Sequence, residues 1–202
     1  EMKHIHSEES GRSMVEMLGV LAIVGVLSVG GIAGYSQAMS KFKVTKAMDQ
    51  VQTIITNIRT LYASQRTYSE FNAQQAQAMG ILTEESIDGT KGLNPFGGHI
   101  YFGVADGGRT FTITYTGLTG EACVKMATAD WGADQSSGLR GMGVGQIKST
   151  DATKVVAVTH AWANSTEAGY TGKKALPVTV ADAAADSGCG TSQDGAVTWY
   201  YR

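Results

Sequence analysis

Few residues in this chain have both the type and the spacing to do chemistry, and Glu16 is the most conspicuous of them. It stands alone at the head of an apolar run, and from Met17 to Gly34 no charged side chain follows it. An ionised carboxylate at the centre of a bilayer costs roughly 2.5–3.5 kcal/mol even on lenient insertion scales, so Glu16 requires a partner or a task. The other candidates are weaker. His4 and His6 sit in a polar N-terminal segment without further ligands, fewer than a metal site needs. His99 and His160 have no nucleophile in their local sequence, no Gly-Lys-Ser/Thr phosphate loop is present, and no acid pair stands out in an apolar setting. The chain therefore reads as having no catalytic constellation, no cofactor and no metal. Asn164-Ser165-Thr166 has the form of an N-glycosylation sequon, which chance supplies often.

The elements that must position Glu16 come next. The charge-free run is about the length a helix needs to cross a hydrocarbon core. Beyond Tyr35 the pattern becomes one-sided: Val44, Ala47/Met48, Val51, Ile54/Ile55, Ile58 and Leu61/Tyr62 recur at steps of three and four, with Lys43, Lys46, Asp49, Gln52 and Arg59 between them. The spacing predicts one continuous helix from about Ser13 to Ala63, on the order of 75 Å long. Its apolar segment, of a length to span a membrane, covers about 14–35. Gly19, Gly25, Gly30, Gly31 and Gly34 each cost about 0.8–1 kcal/mol of helix propensity relative to Ala. Small residues let helices approach closely, and the Gly30 and Gly34 spacing suits that. The pair Gly30-Gly31 is also a place for the helix to bend or melt; a straight span that tolerates glycine is the other reading.

The 202 residues carry 16 basic and 18 acidic side chains, and no Lys/Arg stripe argues for nucleic acid. After the helix, Ser64 to Gly92 is polar and turn-rich, a connecting loop with one short helix at Asn72–Met79. Asn94-Pro95-Phe96-Gly97-Gly98 launches a hairpin in which His99–Val104 and Arg109–Thr116 flank Ala105-Asp106-Gly107-Gly108. Thr119 caps a predicted helix from Gly120 to about Thr128. Strands are expected at Gly141–Ile147 and Lys154–Thr159. Thr179, with an acid three residues on, opens a helix to about Asp186, and Ala196–Tyr201 closes the chain as a strand apolar enough to be central. The fold class is α+β: a long N-terminal helix packed against an antiparallel sheet.

Several of these features together resemble the type IV pilins. The short hydrophilic leader ending at Gly11, the Gly11–Arg12 bond, Glu16 at the fifth position after it and the apolar run are similar to that family's precursors. The chain departs at Arg12, where the family usually has Phe, Met or Leu, and it lacks the Pro often found in the apolar helix of the type IVa group. Leu61-Tyr62…Gln65…Tyr68, Asn94-Pro95-Phe96-Gly97-Gly98, Ala122-Cys123-Val124 with Ala127-Thr128, and the Ala-rich helix into Cys189 resemble the type IVb group, especially the bundle-forming pilins, in the same order.

The resemblance implies a pilin fold with a leader at 1–11, Met2 reading as an initiator, cut by a prepilin peptidase between Gly11 and Arg12. It implies a helix over 12–63 and a head over 64–202. Its expected function is a structural major subunit polymerising through the apolar helix, with Glu16 pairing with the N-terminus of a neighbour at Arg12 and Gly30-Gly31 as the adaptable part of the helix. The alternative is a minor pilin, a pseudopilin or an anchored periplasmic binding protein. Expected partners are copies of the same chain, the peptidase, an inner-membrane assembly platform and separate ATPase motors. The expected location is the inner membrane of a Gram-negative bacterium, then an extracellular pilus. The chain's two cysteines, Cys123 and Cys189, in a region so placed outside the cytoplasm, read as one disulfide bounding the region 123–189, against two free thiols in the cytosol.

Overall fold

The computed structural model describes residues 8–68, 71–132, 134–147, 158–162 and 174–202, with side chains described from Ser13 onward except at Val158 and Thr159. The polar segment carrying His4 and His6, the Asn164-Ser165-Thr166 tripeptide and the first part of the strand expected at Lys154–Thr159 lie outside them. The chain divides into two units, Glu1–Phe42 and Lys43–Arg202.

Helix α1 spans Glu8–Leu61 and is helical through Gly30 and Gly31. It starts five residues before the expected Ser13. In the first unit, α1 from Met17 to Gly34 carries no charged side chain and is exposed throughout.

In the second unit, the predicted stripe of α1 is the core stripe. Val44, Ala47, Val51, Ile54, Ile55 and Ile58 are all buried. Leu61, expected to join them, is 45% exposed. The helix ends there, and Tyr62 turns instead to pack on Tyr68 and Phe71. Helix α2, Ala73–Ala78, is where the sequence placed it, held by a reciprocal cap in which Asn72 accepts from Gln75 N and Gln75 accepts from Asn72 N.

The sheet has eight strands in the order β1-β2-β3-β4-β8-β5-β6-β7. Strands β1 (Ile87–Asp88) and β2 (Lys91–Leu93) form a small hairpin within the stretch expected to be loop. Two- and three-residue strands are too short to show an alternating pattern. Strands β3 (His99–Ala105) and β4 (Thr110–Leu118) are the predicted hairpin. Its turn uses positive φ at Asp106, Gly107 and Gly108, which the Asp-Gly pair tolerates best. Strand β8 (Gly195–Tyr201), last in the chain, lies between β4 and β5 (Leu139–Gln146), as its apolar content implied. Strand β6 is Val158–Ala161, displaced toward the C-terminus from the expected range, and pairs parallel with the two-residue β7, Lys174–Ala175. That pair is the one departure from an antiparallel sheet among the described residues.

Helix α3, Gly120–Thr128, begins at its predicted cap, with Thr119 Oγ1 accepting from Ala122 N. Helix α4, Val180–Ala184, is likewise capped by Thr179 but stops short of Asp186, because the backbone turns extended at Ala185. Cys123 on α3 and Cys189 beyond α4 form a disulfide, with Cα atoms 5.7 Å apart. Gly195 makes room for it: a Cβ there would lie 2.9 Å from both Cys123 Cβ and the Leu118 carbonyl oxygen. The core is centred on Trp199, edge-on to Tyr115 and Trp131.

Candidate assembly surface

The two ends of the chain present different chemistry. In the first unit, twelve large apolar side chains between Met14 and Ile32 are each more than half exposed, from 51% at Val24 to 74% at Val26. Covering a Val, Leu, Ile or Met side chain is worth about 1.5–3 kcal/mol, so this face alone represents on the order of 20–35 kcal/mol of unrealised burial. No chain keeps such a surface in water; it must sit in lipid or against other helices. The backbone is already satisfied by the helix, as either setting demands, and Ser28 donates its hydroxyl to the Val24 carbonyl at 2.7 Å.

Glu16 is exposed at the start of this surface. Gly11 and Arg12 lie within α1, and Arg12 precedes Glu16 by about one helical turn. Gly19, Gly25, Gly30, Gly31 and Gly34 share one property: a Cβ built at any of them would meet nothing within 4 Å. Their cost to the helix is therefore not explained by a close contact among the described residues.

The remaining candidates resolve into braces. His160 is fully buried on β6 and donates Nε2–H to Asp182 at 3.3 Å. Asp182 also takes Lys174 and the Thr179 hydroxyl. Lys174, then Thr179 and His160, hold the Asp182 carboxyl down at about 2. The cluster joins β6, β7 and α4. His99 faces Asp88 at 3.5 Å across the small hairpin. Among the described residues, no three His, Cys, Asp or Glu side chains are grouped to hold a metal. A cavity of about 310 Å³ lies between Trp131, Trp162, Leu139, Met142 and Pro177. Both indole N–H groups are spent internally, on the Met126 and Leu139 carbonyls, and Thr128 and Asp130 also line the cavity.

Comparison with known proteins fits a chain whose chemistry is burial. A family model described as Bundlin matches residues 37–201. The chain belongs to the Bundlin family. Two bundle-forming pilus major structural subunits, from Escherichia coli O127:H6 (strain E2348/69 / EPEC) and E. coli O111:H-, are each 30% identical over 128 residues. Those matches cover 61% of this chain and 66% of the relative. The toxin coregulated pilin of Vibrio cholerae serotype O1 (strain ATCC 39315 / El Tor Inaba N16961) is 25% identical over 140 residues, covering 63% of this chain and 62% of the relative. The matches thus span somewhat less than two thirds of these relatives' own length. Family membership agrees with the type IVb resemblance read from the motif order, and the long helix, the antiparallel-dominated sheet and the Cys123–Cys189 bond belong to this Bundlin-family chain.

One residue of this surface escaped the sequence reading. Phe42 is 59% exposed on α1, between Lys41 and Lys43. Its signal was present: an aromatic residue flanked by lysines and out of phase with Val44, Ala47 and Val51.

Proposed function

We propose that this chain is the major structural subunit of a type IV pilus, a fibre of many copies joined through their N-terminal helices. The observation that carries this reading is the exposed, charge-free helix with one carboxylate at its head, on a chain of the Bundlin family. Before assembly the helix spans the inner membrane and the head, 64–202, lies outside it. A prepilin peptidase removes residues 1–11 by cutting Gly11–Arg12, leaving a mature helix over 12–63.

On polymerisation the helices leave lipid for one another. One apolar environment replaces another, so the transfer is not prohibitive, and the five glycines permit close approach. Glu16 then sets register by pairing with the positive N-terminus of a neighbour at Arg12, because an unpaired carboxylate in that setting is costly. The Gly30-Gly31 pair is the stretch best able to adapt. An assembly platform and separate ATPases supply the work, and the chain itself carries out no reaction.

The test is intact mass and N-terminal sequence of protein sheared from cells, with electron microscopy of the same material. The expected result is an abundant chain starting at Arg12, in thin filaments. A scarce sheared protein would instead identify a minor subunit, and a chain retained in membranes without filaments would overturn the pilin reading. Filaments built from a chain with a different N-terminus would overturn only the cleavage site.

A further inference from the structure

The sequence leaves its charge-free run at Tyr35, and the first lysines after that run are Lys41, Lys43 and Lys46. Tyr35 is 68% exposed and Phe42 is 59% exposed. Steps of seven and eleven residues put Tyr35, Phe42 and Lys46 on one side of α1. Further along that side stand Asp49, Thr53 and Thr56, all exposed and polar. The side therefore passes from aliphatic to aromatic to cationic, then through one acid, Asp49, to the neutral Thr53 and Thr56.

Lengths give that order a meaning. From Met17 to Gly34, α1 rises about 26 Å, close to a hydrocarbon core of about 30 Å. From Met17 to Phe42 it rises about 38 Å, close to the roughly 35–38 Å of a hydrocarbon core with one headgroup layer. Aromatic side chains favour that layer, and lysines near it extend their ammonium groups to lipid phosphates.

We propose that Tyr35, Phe42, Lys43 and Lys46 form a lipid-contacting collar on α1. Tyr35 sits at the hydrocarbon edge, Phe42 lies among the headgroups, and the two lysines bind the phosphate oxygens of anionic phospholipids. The collar rests on the membrane-span part of the function given above and not on polymerisation. Lipid is favoured over a second copy because the collar continues the apolar span and because it is cationic where a headgroup layer is anionic.

The test uses the full chain in phosphatidylcholine vesicles, with or without phosphatidylglycerol, carrying either a lipid spin-labelled at the headgroup, which reaches the depth of Phe42, or a lipid brominated near the end of the acyl chain, which reaches the depth of Val26. Emission is compared for wild type, Phe42→Trp, Val26→Trp and Thr53→Trp. The wild-type tryptophans provide the baseline, Val26→Trp reports the span and Thr53→Trp reports the polar stretch beyond the collar. The expected result is loss of the added emission for Phe42→Trp and none for Thr53→Trp. Adding Lys43→Ser and Lys46→Ser to Phe42→Trp should reverse part of that loss in phosphatidylglycerol vesicles only. Unquenched Phe42→Trp beside a Val26→Trp that lipid does quench would overturn the collar and leave the span. Unquenched Val26→Trp would overturn the span reading and the collar together. A blue shift of Phe42→Trp that tracks protein density and not lipid would seat Phe42 between copies and overturn the lipid assignment. None of these readings needs filaments, so absence of filaments from cells leaves them standing.

Discussion

The Tyr115 hydroxyl donates to Gln50 Oε1 at 2.7 Å, joining the centre of the sheet to the helix packed on it. The Tyr115 ring is fully buried, whereas Gln50 is only partly so, and burial pushes the phenol well above its ordinary range. The two ends of this bond are therefore unequal. Tyr115→Phe removes the hydroxyl and lets Gln50 turn to water, at a cost of about 0.5–1.5 kcal/mol. Gln50→Leu strands the buried hydroxyl, at about 1–3 kcal/mol. Denaturation midpoints of the full chain in detergent check the order; equal losses would mean that water reaches Tyr115.

Asn94 ties the β2–β3 connection to β4. Its Oδ1 accepts from Phe96 N and Gly98 N, and its Nδ2 donates to the carbonyls of His99 and Thr116. Gly98 is compelled by the same closeness, since a Cβ there would stand 1.9 Å from the Thr116 oxygen. Asn94→Ala leaves several buried backbone groups without partners and should cost about 2–4 kcal/mol. Asn94→Asp keeps the two acceptor bonds but sets a carboxylate against two carbonyls, so it should not rescue stability. Thermal melts of both variants decide this, and a loss no larger than that of an exposed substitution would contradict it.

These cases show what the sequence could and could not disclose. The stripe from Val44 to Ile58 was legible because helical period and burial coincide. The caps at Thr119 and Thr179, the Asp106-Gly107 turn and the central place of β8 were legible because each is a local rule that tertiary packing did not override. Strands β1, β2 and β7 were not, because two or three residues carry no period, and β7 also owes its pairing to β6, a strand distant in sequence. The Asp182 cluster was hidden for the same reason, its members coming from β6, β7 and α4. In the assembly surface, Glu16 and the glycines stood out by violating local expectation, whereas Phe42 looked like one more apolar residue until its exposure was known.

Cys123 and Cys189 close a loop with a sequence separation of 66. In the chain-entropy account a bridge of that size stabilises by about 4 kcal/mol. Replacing both cysteines by Ala should lower stability by that order while leaving α1 helical. Chemical denaturation with and without reductant tests it: reductant should destabilise wild type and leave the double variant unmoved. A double variant as stable as oxidised wild type would show that packing around Gly195 and Leu118 suffices.

Asp182 supplies a pH signature. Its folded value of about 2 lies below the ordinary carboxylate value, so the group stabilises the fold when ionised. A lowered folded value gives a contribution fully present above the unfolded value of about 3.9, and that contribution fades as pH falls toward about 2. The stability difference between wild type and Asp182→Asn should thus be flat above about pH 5 and shrink from pH 4 to pH 2. Melting temperatures across that range measure it. A difference that persists unchanged at pH 2 would mean that Asn keeps the bonds to Lys174, Thr179 and His160 and that the charge is immaterial.

Glu16 separates folding from assembly. It lies in the first unit, among side chains that the fold leaves exposed, so Glu16→Gln should leave the melting temperature of the second unit unchanged. If Glu16 pairs with a neighbour's positive N-terminus, the neutral amide loses the ion pair, and a buried charge-assisted bond is worth several kcal/mol when one partner is removed. A fibre repeats that loss at every contact, so sheared filaments should vanish while the protein persists in membranes. Glu16→Asp keeps the charge on a shorter arm and should restore some filament. Cells making both wild type and Glu16→Gln add a further reading: if the carboxylate acts within each contact, filaments should shorten or thin out as the variant fraction rises. Normal filaments of pure Glu16→Gln subunits would show that apolar packing alone sets the register.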